Sequence, residues 1–218
     1  MQWTDKEEQL VRGSPKDQAE NRSMGMREAS TSVSFSAFMT AVVFFFIGLL
    51  LTGEPELQLR LRIALLYFFG SAFGFMYSAL VYANATGAIA RLKTKAFERN
   101  MVTGNALSEY FGVYGLALAV PVAVLGYSPD QILSLGVFSL SSLFMVVYHA
   151  MGYSILERYI GRKGACWALV PLIGLSGGGF FAMLRGNLVL HYGFYASLAA
   201  MIFALTCVAL CGREKATS

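Results

Sequence analysis

Residues 104–126 read GNALSEYFGVYGLALAVPVAVLG, a long apolar run with a single carboxylate, Glu109, just inside its first end. After Glu109 the next charge is Asp130, leaving 20 uncharged residues between them. About 20 apolar residues span a bilayer core as an α-helix. The same gap recurs along the chain: no charge lies between Glu28 and Glu54, Arg62 and Arg91, Asp130 and Glu157, Lys163 and Arg185, or Arg185 and Arg213. Six gaps predict six transmembrane helices, at 33–52, 63–88, 106–126, 132–155, 165–184 and 189–211. These runs lack the period-2 alternation of barrel strands, and only helices or closed barrels satisfy their backbone in lipid. The expected fold class is therefore all-α, a polytopic six-helix integral membrane bundle.

Composition agrees. Of 218 residues, 56% are hydrophobic and 14% charged, against about 25% charged in a soluble domain. Residues 1–32 are polar and lack the apolar core of a signal peptide, so they read as a cytosolic tail, partly helical or disordered. Residues 212–218 form a short C-terminal tail. Cys166, Cys207 and Cys211 all fall inside predicted spans as small apolar residues. Nothing matches a disulfide framework, a metal cluster or bis-His haem ligation, so no cofactor is expected.

Charge sets the expected orientation. Of 17 Lys and Arg, fourteen lie in the tails and in the loops after spans 2 and 4, leaving only Arg60, Arg62 and Arg185 for the opposite side. Positive loops stay cytosolic, so both termini are expected there, with the plasma membrane as the expected location. The net charge of +4 reflects this bias and does not point to nucleic acid. The expected partners are the bilayer and either further copies of the chain or other membrane subunits.

Spans 2 and 4 share an FxxxYxAxxY pattern, Phe73–Tyr82 and Phe144–Tyr153, at an offset of 71. It suggests a parallel repeat of two-helix hairpins. Close helix contacts in lipid favour small residues. The candidate packing positions are Gly70 and Gly74 in span 2, Gly112, Gly115 and Ala119 in span 3, and Gly174 and Gly178 in span 5. At about 100° per residue, Glu109, Gly112, Gly115 and Ala119 share one sector of span 3, while Tyr110, Tyr114 and Pro121 point elsewhere.

An acid inside a membrane helix marks a functional site whose partner has to be found. Glu109 is placed ~5 Å deep from the cytosolic end and His149 in span 4 ~10 Å deep, at 1.5 Å per residue. His149 and Arg91, at the cytosolic end of span 2, are the candidate partners. The alternative is an interfacial acid, partly hydrated and held by the helix dipole.

Two local resemblances follow from particular residues. Ser108-Glu-Tyr-Phe-Gly-Val-Tyr-Gly-Leu-Ala-Leu-Ala119 resembles, over twelve residues, the carboxylate helix of rotor-ring proteolipid subunits of rotary ATPases. That family sets its acid near mid-membrane and lines the partner helix with regular glycines. Here Glu109 is shallow, span 2 is rich in aromatics, and span 5 carries no equivalent acid. Gly174-Leu-Ser176-Gly177 resembles the GxSG motif of rhomboid intramembrane proteases, which pair that Ser with a His on a later helix. His191 follows Ser176 by fifteen residues, and the two are placed ~12 Å apart in depth, which argues against a Ser–His bond.

The favoured functional expectation is a small channel or transporter, oligomeric or not, with a proton-responsive cytosol-side carboxylate and no enzymatic activity. The alternative is a non-catalytic subunit or scaffold of a larger membrane complex.

Overall fold

The structure is a computed structural model and describes residues 15–52, 59–91, 94–128, 130–151, 155 and 157–211. Residues 1–14 of the expected N-terminal tail, the C-terminal tail 212–218 and Tyr153 of the repeat pattern lie outside the described residues. The chain forms α1 (Pro15–Thr52), α2 (Leu59–Ala90), α3 (Thr94–Ala106), a π-helical segment (Leu107–Tyr114), α4 (Gly115–Tyr127), α5 (Gln131–Ala150), α6 (Glu157–Leu184) and α7 (Leu188–Cys211). The elements α3, π and α4 run on as one rod, the third span. Among the described residues, six helices are long and apolar enough to cross a bilayer.

Helix boundaries depart from the charge gaps because helix and bilayer are different limits. Helix α1 starts at Pro15 rather than 33 and runs for 38 residues. That is ~57 Å at 1.5 Å per residue, against a ~30 Å hydrocarbon core. Its polar first half stays helical because Pro suits the first helical position and because one side of it is buried. Gly25 lies against Ile89 and Phe97, and Ala29 joins a cluster with Tyr82, Ala85 and Met101. Arg22 Nη2 donates to the Ala90 carbonyl at 2.6 Å, capping the C-terminal end of α2. Arg22→Ala should cost about 0.5–1.5 kcal/mol, the net worth of a typical hydrogen bond. A lowered unfolding midpoint in detergent would show it, and an unchanged one would mean the cap is idle.

The third span also begins early, at Thr94, and the fifth at Glu157 rather than 165. The fourth differs in the opposite sense: α5 stops at Ala150, five residues short of the expected 155. Met151 closes it, returning its N–H to Val147. At the other end Asp130 is the N-cap, accepting from Ile132 N–H at 2.9 Å and Leu133 N–H at 3.1 Å.

The third span is the hub. Buried residues make up 61% of its apolar window, against 17% for α5. It packs on α2, α5, α6 and α7, while α1 leans chiefly on α2. The core gathers Phe68, Phe75, Tyr110, Tyr114, Leu118, Met145, Leu172, Phe180 and Leu198. The outward faces stay apolar, with Phe38, Phe45, Leu66, Leu140, Trp167, Val170 and Phe203 exposed. So much contiguous apolar surface suits lipid and not water.

A buried carboxylate, tyrosine and histidine at the hub

The rod changes pitch where Glu109 sits. Residues 107–114 hydrogen-bond in the wider i→i+5 pattern, an arrangement found mostly as short insertions at functional sites. Contact with α2 holds it. A Cβ added at Gly74 would lie 2.6 Å from Phe111 Cβ and 2.7 Å from the Gly112 nitrogen. One added at Gly112 would meet the Phe75 ring at 2.7 Å. The Ser71 hydroxyl donates to the Gly112 carbonyl at 2.7 Å. Two backbones thus approach at glycines, and a hydroxyl serves a carbonyl of the widened turn.

The change of pitch redirects a side chain. In an α-helix residues five apart lie ~140° from each other around the axis; i→i+5 winding brings them to one face. Tyr114, expected to point away from Glu109, instead turns its hydroxyl to Glu109 Oε1 at 3.3 Å. The same hydroxyl lies 2.9 Å from Nδ1 and 3.1 Å from Nε2 of His149. The Tyr114 and His149 rings are 11° from parallel. His149 Nδ1 also sits 3.2 Å from the Met145 carbonyl, so in the tautomer with its proton on Nδ1 the ring can donate there and leave Nε2 as an acceptor within 3.1 Å of the tyrosine hydroxyl. Glu109 Oε2 accepts the Ile155 N–H at 2.7 Å, the length of a charge-assisted bond.

All three side chains are buried: Glu109 is 2% exposed, His149 3% and Tyr114 0%. A buried ionisable group needs partners because losing water costs several kcal/mol per ion. The partly hydrated interfacial reading of Glu109 is accordingly not the arrangement found. Glu109 and His149 are brought together, but through Tyr114. His149 sits in the last turn of α5, one residue before its end at Ala150.

Arg91 is elsewhere. It is exposed, and its Nε donates to the Gly87 carbonyl of its own helix at 3.0 Å. Among the packing positions, Gly74, Gly112 and Gly178 stand at close approaches, Gly178 against the Phe194 ring, and Gly115 lies beside Ser71. Ala119 is fully buried. Gly70 and Gly174 face open space. His191 Nδ1 lies 2.8 Å from the Gly179 carbonyl, so that nitrogen is a donor to backbone and not a base toward Ser176. No group of three or more potential metal ligands occurs among the described residues.

Sequence reasoning missed Tyr114 and Ile155. The spacing of five between Glu109 and Tyr114 is a signal for the first only if a π turn is anticipated. Nothing in the local sequence points to the second, since a backbone N–H carries no residue signature.

The fold and this cluster define an all-helical integral membrane protein with an ionisable centre. Scans against protein-family models, curated proteins and solved structures gave no match for the chain.

Proposed function

We propose that the protein is a small channel or transporter whose activity responds to protons at Glu109. The observation that carries this reading is the buried Glu109–Tyr114–His149 chain at the hub of a membrane bundle. Ionisable groups inside membrane bundles are costly and mark ion or proton pathways. The proposed arrangement places both termini in the cytosol of a plasma membrane, with the Glu109 cluster toward that side. The hairpin repeat is part of the same proposal, with Tyr77 and Tyr148 as matched positions.

An apolar groove of about 330 Å³ between α2, the π segment and α7 supports a route toward the cluster. Tyr110 lines it, and the Tyr110 and Tyr114 ring centroids are 5.6 Å apart. The groove is lined mainly by apolar side chains, with the hydroxyls of Tyr67, Tyr110, Tyr192 and Tyr195 as its polar groups, so the gate would be hydrophobic or lie between protomers.

Glu109→Gln keeps the size and hydrogen-bonding capacity of the side chain but removes its charge. In proteoliposomes it should abolish the pH dependence of flux while insertion stays normal. Flux and native mass both matching wild type would refute the reading. The second reading, a non-catalytic subunit or scaffold, draws on Gly174, an exposed small residue with open space about it where another helix could approach closely. Purification as a stable complex with other membrane chains, without flux alone, would favour it.

A further inference from the structure

We infer that Tyr114 is the bridge of a two-state proton relay, carrying a proton between Glu109 and His149 within the membrane. The inference rests on reading Glu109 as a proton-responsive group, and it adds a route and a positioning residue.

The argument is one of hydrogen-bond accounting. A tyrosine hydroxyl has one proton to give and lone pairs to accept with. In one state Glu109 is protonated at Oε1 and donates to Tyr114 Oη. Tyr114 donates to His149 Nε2, and His149 Nδ1–H donates to the Met145 carbonyl. In the other state the Glu109 proton has passed to Tyr114 Oη as the tyrosine's own proton passed to Nε2. Glu109 is then a carboxylate accepting from Tyr114, and His149 is an imidazolium donating from both nitrogens. One O–H bond breaks at Glu109 and one N–H bond forms at His149. Tyr114 ends as it began, and no other reactant is needed. The Ile155 N–H finds its acceptor, Oε2, in both states.

Each of these hydrogen bonds keeps a donor and an acceptor in both states, which is what a buried polar network requires. A direct Glu109–His149 pair would need no tyrosine between. The π segment is what places one there, by bringing residues five apart to the same face. Among the described residues, the titratable groups packed about the triad include several tyrosines. Tyr110 is on the same segment, with Tyr192 and Tyr195 of α7 across the groove from it. Tyr148 of α5 lies 6.2 Å from the Tyr114 ring. Tyr82 of α2 sits in the field of both Glu109 and Glu28 of α1, its hydroxyl held by Asn105.

The test is a coupling measurement on the full chain in nanodiscs, read by infrared spectroscopy. The Glu109 carboxyl band is assigned by its loss in Glu109→Gln and followed against pH. His149→Gln should move the midpoint of that band by roughly one pH unit or more, a tenfold change in proton affinity. In the Tyr114→Phe background the same His149 substitution should leave the midpoint unmoved. An equal shift in both backgrounds would mean that His149 acts on Glu109 without the tyrosine. No shift in either would mean that the two groups are uncoupled. Each result overturns the relay.

Should the Tyr114→Phe protein fail to fold, fluorotyrosine placed at position 114 reports directly. Its C–O stretch should change in step with the Glu109 carboxyl band, and a constant stretch would equally overturn the relay. None of these readouts needs flux. A protein that couples as described but moves nothing across liposomes retains the relay and loses the transport reading. One whose flux depends on Glu109 but not on Tyr114 does the reverse.

Discussion

Gly74→Ala should weaken the protein by about 3 kcal/mol, the upper end of the range for overpacked cores. The added methyl would meet Phe111 Cβ at 2.6 Å and the Gly112 nitrogen at 2.7 Å. Neither atom belongs to the free end of a flexible chain, so the two helix backbones must separate. Separation also stretches the 2.7 Å bond from Ser71 to the Gly112 carbonyl, removing the support of the π turn. Gly70→Ala, one helical turn away in the same GxxxG pattern, meets nothing within 4 Å. It should be neutral or stabilise by up to about 1 kcal/mol, the difference in helix propensity between Gly and Ala. Reversible unfolding in detergent compares the pair. Equal effects at the two positions would show that the close approach at Gly74 does not bear on stability.

Glu109→Leu should destabilise by about 3 kcal/mol as well, for a different reason. It leaves the Ile155 N–H without its 2.7 Å acceptor and the Tyr114 hydroxyl without its 3.3 Å one. A buried group left unsatisfied costs about 1–3 kcal/mol. Glu109→Gln keeps an amide oxygen for Ile155 and should stay within about 1 kcal/mol of wild type, the worth of one ordinary hydrogen bond. Hydrogen exchange at the Ile155 amide offers a local readout: fast in the Leu variant, protected in the Gln variant. If both variants were as stable as wild type, the carboxylate would have no structural hold on the turn after α5. The Gln variant would then be the cleaner probe of function, its folding intact and its charge gone.

Much of the architecture can be read from where charge is missing. Each of the six gaps between charged residues falls on one of the six membrane-length helices of the described residues, because burying a charge in hydrocarbon is costly wherever it falls. The same reasoning could not say where helices end. Residues 15–32 are polar in one dimension but present Gly25 and Ala29 to α2 and α3 in three. The apolar run around His149 continues to Leu156 in the sequence, yet α5 ends at Ala150.

For the site, the sequence by itself identified Glu109 and His149, since ionisable side chains stand out against an apolar background. It also marked Gly74 and Gly112 as small residues suited to close approach. What joins these residues belongs to the tertiary structure. Arg91 was an equal candidate as a letter, yet it ends on its own helix, at the Gly87 carbonyl. Tyr114 was turned away by the 3.6-residue period and turned back by the π segment, which packing against Gly74 and Ser71 supports. Helix pitch at such a point depends on a neighbour some forty residues earlier, so no local pattern reports it. The apolar code of the chain is enough to place six helices in a membrane. Which polar groups meet there is decided by how closely two backbones can pass.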